Sequence, residues 1–208
     1  MISTTYRSPL GDLMIVADER GLVRLQFAGN PMRALDGQLD RSMRDPFAAW
    51  SPERPSAGVT RLTASDAVSG GLALQAAHPE CGAAASVVER AWGWLNAYFA
   101  GQAPRWVPPL HVEGTDFQHA VWTELMRIPY GQTTTCAQLA ERVGRWRGSK
   151  TTARAVGLAA AHNAVQLVVP CHRMVGAHGE LKGYAGGVDR QGVLLAWERR
   201  LPLELRMR

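Results

Sequence analysis

The sequence predicts an α/β chain in two domains: a small N-terminal sheet-plus-helix domain over residues 1–108, and a mainly helical C-terminal domain over 109–208 that contains a helix-turn-helix. Three observations predict it. The first 28 residues alternate short β-prone runs with turn signals. A single amphipathic helix then ends at Gly101 and gives way to Pro104, Pro108 and Pro109, the punctuation of an interdomain connection. Beyond it, two capping boxes and a helix of small residues follow in quick succession.

In order, Thr4–Arg7, Leu13–Ala17 and Leu22–Phe27 read as a three-strand meander, joined by turns at Ser8-Pro9-Leu10-Gly11 and Asp18-Glu19-Arg20-Gly21. Residues 29–82 are rich in Pro, Ser, Gly and Ala and read as loops, with one helix over 32–44. Over Val87–Phe99, the residues Val88, Ala91, Trp92, Leu95 and Phe99 share one helical face.

The second half is sharply punctuated. Thr115 and Gln118 form a capping box, and Phe117, Val121, Trp122 and Leu125 are the expected buried face of that helix. Thr135 and Gln138 form a second box, opening a helix that Gly144 is expected to close. The loop Arg145–Lys150 follows, then a small-faced helix over Thr152–Ala161 carrying Ala153, Ala155, Gly157, Ala159 and Ala160. A short helix, a connection and a second helix make the helix-turn-helix reading. Small residues let a backbone approach a nucleic-acid groove, or equally another helix. Val165–Val169 reads as a buried strand stopped by Pro170. The last helix is expected to be capped by Asp189, to run to Arg199 and to bury Val193, Leu194 and Trp197.

Composition narrows the class. Apolar residues make up 46%, enough for a core. No apolar run reaches the roughly 18 residues a membrane span needs, and the polar start Met1–Leu10 lacks a signal core, so a cytoplasmic location and no membrane partner are expected. The net charge is +5, carried by arginines and just two lysines, Lys150 and Lys182, which favours a polyanionic partner. Three widely spaced cysteines, Cys81, Cys136 and Cys171, give no disulfide framework and no metal-ligand pair; neither metal nor organic cofactor is expected.

The chemistry concentrates at Pro170-Cys171-His172-Arg173. A cysteine nucleophile needs a base to take its proton, and a histidine supplies one. Adjacent side chains on a regular strand face opposite ways, so Cys171 and His172 cooperate only if the chain turns after Pro170. A carboxylate behind the histidine would fix its tautomer; spacing alone leaves Glu180, Asp189 and Glu198 as candidates. An isolated Cys-His pair is more often a buried hydrophobe beside a surface residue.

Context changes that weighing. Val168-Val169-Pro170-Cys171-His172-Arg173-Met174-Val175-Gly176, Gly183-Tyr184-Ala185-Gly186-Gly187 and Leu194-Leu195-Ala196-Trp197-Glu198 resemble the O6-alkylguanine (methylated-DNA–protein-cysteine) alkyltransferases. So do Gly114-Thr115-Asp116-Phe117-Gln118, Val121-Trp122, Ile128-Pro129-Tyr130-Gly131 and Ala153-Arg154-Ala155-Val156-Gly157. Strong similarity covers residues 114–198; Ser8-Pro9-Leu10-Gly11 is weakly family-like, and residues 30–80 match nothing.

The resemblance implies a ribonuclease-H-like first domain and a winged-helix-like second one. It implies direct-reversal DNA repair: stoichiometric, irreversible transfer of the alkyl group of O6-alkylguanine, with O4-alkylthymine a further candidate, to Cys171. His172 would act as base through a water, Glu198 would orient His172, and Asn163 would tie the helix-turn-helix to the active site. Tyr184, the Ala185 amide and the Met174 carbonyl would line the guanine pocket, beside Cys136. Arg154 would enter the stack left by a flipped-out base, and the helix carrying Thr152, Ala153, Ala155 and Gly157 would bind the minor groove of double-stranded DNA, with the protein a monomer.

The chain also departs from the family. Cys136 stands where a tyrosine is usual and is expected to be inert, Ala185 replaces a common serine, Ala164 replaces a proline, and the Arg145–Lys150 loop is longer than usual and could touch phosphates. Two rival functions remain: a non-catalytic protein that binds alkyl lesions in DNA, and a cysteine hydrolase.

Overall fold

The computed structural model describes residues 1–29, the backbone of 60–61, and residues 82–181 and 183–200. The helix expected over 32–44 lies outside them. The described residues fall into two compact units, which divide after Val112.

In the first unit the expected meander forms as β1 (Ile2–Ser8), β2 (Gly11–Ala17) and β3 (Leu22–Phe27), all antiparallel. The β1–β2 turn closes on the pair Ser8↔Gly11, and Gly11 takes φ +104°, a conformation side chains resist. A two-residue strand, β4 (Thr60–Arg61), pairs with the other edge of β1 and gives the order β3-β2-β1-β4. Two residues are too few to show alternation, so the sequence did not announce it.

Helix α1 (Gly82–Phe99) packs on β1, β2 and β3. It buries Val88, Ala91, Trp92, Leu95 and Phe99 as expected, but it starts five residues earlier, because Ala83, Ala84 and Ala85 have high helix propensity without apolar period. Tyr6 anchors the interface: its ring meets Trp92 edge-on at 4.9 Å, and its hydroxyl hydrogen-bonds Asn96 Oδ1 at 2.9 Å. Gly101, at φ +76°, stops the helix. The chain then returns alongside β3. The Leu22 amide donates to the Pro109 carbonyl at 2.7 Å, and the His111 amide to the Leu22 carbonyl at 2.8 Å. Gly21 permits this approach, since a Cβ there would lie 2.7 Å from the Pro109 oxygen.

The second unit carries the helices. Thr115 caps α2 (Asp116–Met126) with the full reciprocal box, and Thr135 does the same for α3 (Cys136–Arg147). The buried face of α2 is Ala120, Val121, Trp122, Glu124 and Leu125; Phe117 is only half-buried, beneath the Arg147 guanidinium at 5.4 Å. Gly144 does not end α3, contrary to expectation. The helix continues to Arg147 and stops at Gly148, in the left-handed region at φ +66°. Gly144 serves close approach instead: the outgoing chain folds back over it, the Ser149 amide bonds its carbonyl at 3.1 Å, and a Cβ there would lie 3.0 Å from the Ser149 oxygen.

Thr152 caps α4 (Ala153–Ala161). Its small residues do not form one face. Residues two apart sit about 200° apart around a helix, so Ala159 and Ala160 are buried with Val156, Ala155 and Gly157 are half-buried, and Ala153 is exposed. The Trp122 indole donates to the Ala159 carbonyl at 2.9 Å and binds α2 to α4.

Val165–Val169 is buried but is not the expected strand. Leu167 adopts φ +69° and the Val169 amide returns to the Val165 carbonyl at 3.0 Å, so the segment is a tight turn of apolar residues. A 3-10 turn over Cys171–Arg173 leads into β6 (Met174–Val175), which pairs in parallel with β5 (Thr134–Thr135). The last helix, α5 (Val188–Arg199), is capped at Gly187 without a side-chain bond; Asp189 sits in its first turn and is not the cap. Its buried face is Arg190, Gln191, Leu194, Leu195 and Glu198, whereas Val193 and Trp197 are half-buried. Polar anchors, not apolar period, set the rotation of this helix.

Candidate functional site

Pro170 precedes a 3-10 turn over Cys171–Arg173 in which all three residues are buried, and Tyr184 is their common neighbour: its ring lies 6.0 Å from that of His172, and it lines one cavity with Cys171. Cys171 is 7% exposed. With Cys136, Met174, Tyr184 and Ala185 it lines a cavity of about 300 Å³, whose remaining wall is made of Gly157, Ala160, Ala161 and Gly183. Gly157 and Ala160 thus serve the cavity, while Ala159 serves the α2 contact. A larger, more open hollow of about 500 Å³ lies beside the α3–α4 connection, but no cysteine or histidine lines it.

Behind Cys171 the polar groups are fully buried. His172 Nε2 lies 2.8 Å from Glu198 Oε1. The carboxylate can only accept, so Nε2 carries the proton and Nδ1 keeps its lone pair. Nδ1 has no hydrogen-bond partner among the described residues. Of the three carboxylates that spacing left open, Glu198 is the one in contact. Glu180 caps the His178 amide and is exposed, as is Asp189.

Glu198 is held from several sides. Arg173 reaches both of its oxygens, at 2.8 and 2.9 Å, and the Gly131 amide donates to Oε2 at 2.9 Å. Burial alone would raise the Glu198 carboxyl; the charges and hydrogen bonds of His172 and Arg173 outweigh it and hold the group well below the usual carboxylate range. Burial lowers His172 in spite of Glu198, so the imidazole rests neutral. Burial pushes the Cys171 thiol up to about 11, against the pull of the Asn163 side chain and local backbone amides. The resting sulfur is therefore a thiol, and attack by it requires a base.

Asn163 sits between the end of α4 and the reactive turn. Its Nδ2 donates to the Val169 carbonyl at 2.8 Å and to Cys171 Sγ at 3.2 Å, and its Oδ1 accepts from the Val165 amide at 2.9 Å. The residues expected to meet DNA lie elsewhere on α4: Thr152, Ala153 and Arg154 are exposed, and the Thr152 hydroxyl is engaged by the Ala155 amide at 3.2 Å.

Comparison with known proteins gives the family. The family described as "6-O-methylguanine DNA methyltransferase, DNA binding domain" matches residues 116–200, and "6-O-methylguanine DNA methyltransferase, ribonuclease-like domain" matches residues 1–53. A methylated-DNA–protein-cysteine methyltransferase of Mycobacterium bovis is 44% identical over 128 residues, which span 61% of this chain and 73% of that one. The chain belongs to the methylated-DNA–protein-cysteine methyltransferase family. A Methanosarcina acetivorans methyltransferase of the same name is 46% identical over 104 residues, 50% of this chain and 64% of the other. Among solved structures, the Mycobacterium tuberculosis O6-methylguanine methyltransferase superposes with a TM-score of 0.61 at 33% identity, covering 99% of this chain and 98% of its own. The M. tuberculosis OGT in complex with DNA gives 0.61 at 32% identity, covering 97% and 96%.

Three supports of the site were not legible in the sequence. Arg173, inside the quoted motif but assigned no role, clamps Glu198 and donates from Nη1 to the Ile128 carbonyl at 2.6 Å. The Gly131 amide contributes through the Pro129-Tyr130-Gly131 turn. Gln191 donates to the carbonyls of His172 and Met174, at 3.1 and 2.6 Å, and so fixes the turn to α5. The Met174 carbonyl expected to face guanine is already engaged through one lone pair. A polar residue among the apolar positions of the last helix was the available signal for Gln191; Arg173 had its place in the motif.

Among the described residues, no group of three or more His, Cys, Asp or Glu side chains is placed to hold a metal ion. No helix among them is long and apolar enough to cross a membrane.

Proposed function

We propose that this chain repairs DNA by direct reversal, moving the alkyl group of O6-alkylguanine onto Cys171 in a single turnover. The observation that carries the reading is a buried Glu198–His172 hydrogen bond whose histidine directly follows Cys171 in a 3-10 turn, with Cys171 opening on a cavity. His172 Nδ1 takes the thiol proton through a water molecule, with Glu198 stabilising the imidazolium that results. Asn163 supports the developing thiolate by its Nδ2–H. The sulfur attacks the alkyl carbon, a C–S bond forms, the C–O6 bond breaks, and the proton returns to the leaving guanine. The thioether has no easy reverse path, so one protein molecule repairs one lesion without a cofactor. O4-alkylthymine is a second candidate substrate.

A base inside the duplex cannot reach this cavity, so the lesion must be flipped out at a cost of a few kcal/mol. Tyr184, Ala185, Met174 and Cys136 receive it. The helix pair α3–α4 acts as the helix-turn-helix of a winged-helix-like domain over 109–208; α4 lies in the minor groove with its exposed first turn, Thr152 and Ala153, toward the DNA, and Arg154 fills the gap in the stack. The N-terminal domain over 1–108 is of ribonuclease-H-like type, and the protein works as a cytoplasmic monomer.

The test is mass spectrometry after mixing with a duplex containing O6-methylguanine. One methyl group is expected on the Cys171 peptide, and none in Cys171→Ser. Binding of the lesion without methyl gain would favour a non-catalytic lesion binder, and repeated turnover of an ester would favour a hydrolase.

A further inference from the structure

Alkyl transfer to Cys171 draws on nothing in the extra turn that α3 makes beyond Gly144. Residues 145–150, Arg-Trp-Arg-Gly-Ser-Lys, are exposed without a break. Between positions 141 and 154 five cations, Arg142, Arg145, Arg147, Lys150 and Arg154, meet one carboxylate, Glu141, so this stretch holds four of the chain's five net positive charges. Glu141 does little to neutralise them. It lies 3.9 Å from Arg145, and both side chains are more than two-thirds exposed.

The turn also presents an aromatic ring. Trp146 is 64% exposed, in a residue type that proteins mostly bury. Arg147 pins the turn to α2 through the ring of Phe117. Gly148 then reverses the chain, and the run leads directly into the exposed Thr152, Ala153 and Arg154 at the start of α4.

We propose that residues 145–150 form a second contact with duplex DNA, on the backbone flanking the lesion, in which Arg145 and Lys150 bind phosphates and the Trp146 ring lies against deoxyribose. This rests on the reading of α4 as the DNA-facing helix. Charge complementarity and continuity with that face select DNA as the partner, and phosphate contacts of this kind position a protein without reading sequence.

The experiment is binding of the full chain to an undamaged labelled duplex across a range of KCl, followed by fluorescence anisotropy. In R145A/K150A the slope of log affinity against log salt falls in magnitude by about 2, roughly 0.9 for each phosphate that is no longer neutralised. R145K/K150R keeps the wild-type slope, and W146A weakens binding without changing it. A wild-type slope in folded R145A/K150A, checked by its melting temperature, overturns the proposal; R145Q/K150Q serves if that variant does not fold. Loss of binding to anionic phosphatidylserine vesicles with duplex binding intact would overturn it in favour of a membrane. The duplex carries no lesion, so the slope is independent of alkyl transfer: no methyl on Cys171 would sink the repair reading alone, and an unchanged slope would sink this one alone.

Discussion

Glu198 grips the Arg173 guanidinium with both carboxylate oxygens, Oε2 to Nε at 2.8 Å and Oε1 to Nη2 at 2.9 Å, and both side chains are buried. Arg173 is thus the counter-charge that lets an ionised Glu198 sit behind a neutral His172. Arg173→Ala would leave that carboxylate buried without its bidentate partner, a loss on the order of 3–5 kcal/mol. Arg173→Lys should recover only part, because an ammonium cannot span both oxygens and the Ile128 carbonyl in one plane. Urea unfolding measures both. An alanine variant as stable as the wild type would refute the assignment.

Removing the carboxylate instead tests orientation. Glu198→Gln no longer fixes the proton on Nε2, so Nδ1 ceases to be a dependable base. Alkyl transfer at saturating DNA should slow by about 100-fold or more, within the range for loss of general-base assistance. Rapid-quench single-turnover kinetics gives the number, and DNA affinity should not move. A wild-type rate would mean that the thiol ionises without His172.

Stability should fall with acid in two stages. The folded-state value of His172 is lowered by burial from about 6.5. The unfolded chain therefore takes up the proton first, and the His172 contribution is full above pH about 6.5 and lost as pH falls toward the folded value. Glu198 is held below the usual carboxylate range, so its contribution is full above roughly pH 4.3 and is lost at still lower pH. Melting temperatures between pH 8 and pH 3 should show a plateau, then both declines. His172→Gln should abolish the first decline; its persistence would assign that step to another group.

The sequence disclosed most of this site because its chemistry is local. Both capping boxes are complete within four residues, and Pro170-Cys171-His172 announces its own turn. What lay hidden depends on long-range packing. The bond from His172 to Glu198 spans 26 residues, and no spacing rule prefers Glu198 to Asp189. Gly144 looked like a helix stop; only the returning Ser149 shows that it is a contact point. The apolar run Val165–Val169 reads equally as a strand or as a buried turn until Leu167 is seen at positive φ.

Cys136 should set the size of alkyl group that the cavity accepts. It is the first residue of α3, its side chain lines the cavity, and a Cβ built on Gly157 would come within 3.8 Å of its sulfur. Gly157 therefore presents only backbone to the Cys136 sulfur. Cys136→Tyr would set a ring into about 300 Å³ of space without disturbing the Thr135 cap, whose bonds run to Gln138. Transfer of methyl should stay within several-fold of wild type, whereas transfer of benzyl should fall by at least about tenfold, the discrimination that a kcal/mol or two of steric conflict produces. Single-turnover rates on duplexes bearing each adduct decide it. Equal slowing for both would show that position 136 acts on base extrusion and not on alkyl size.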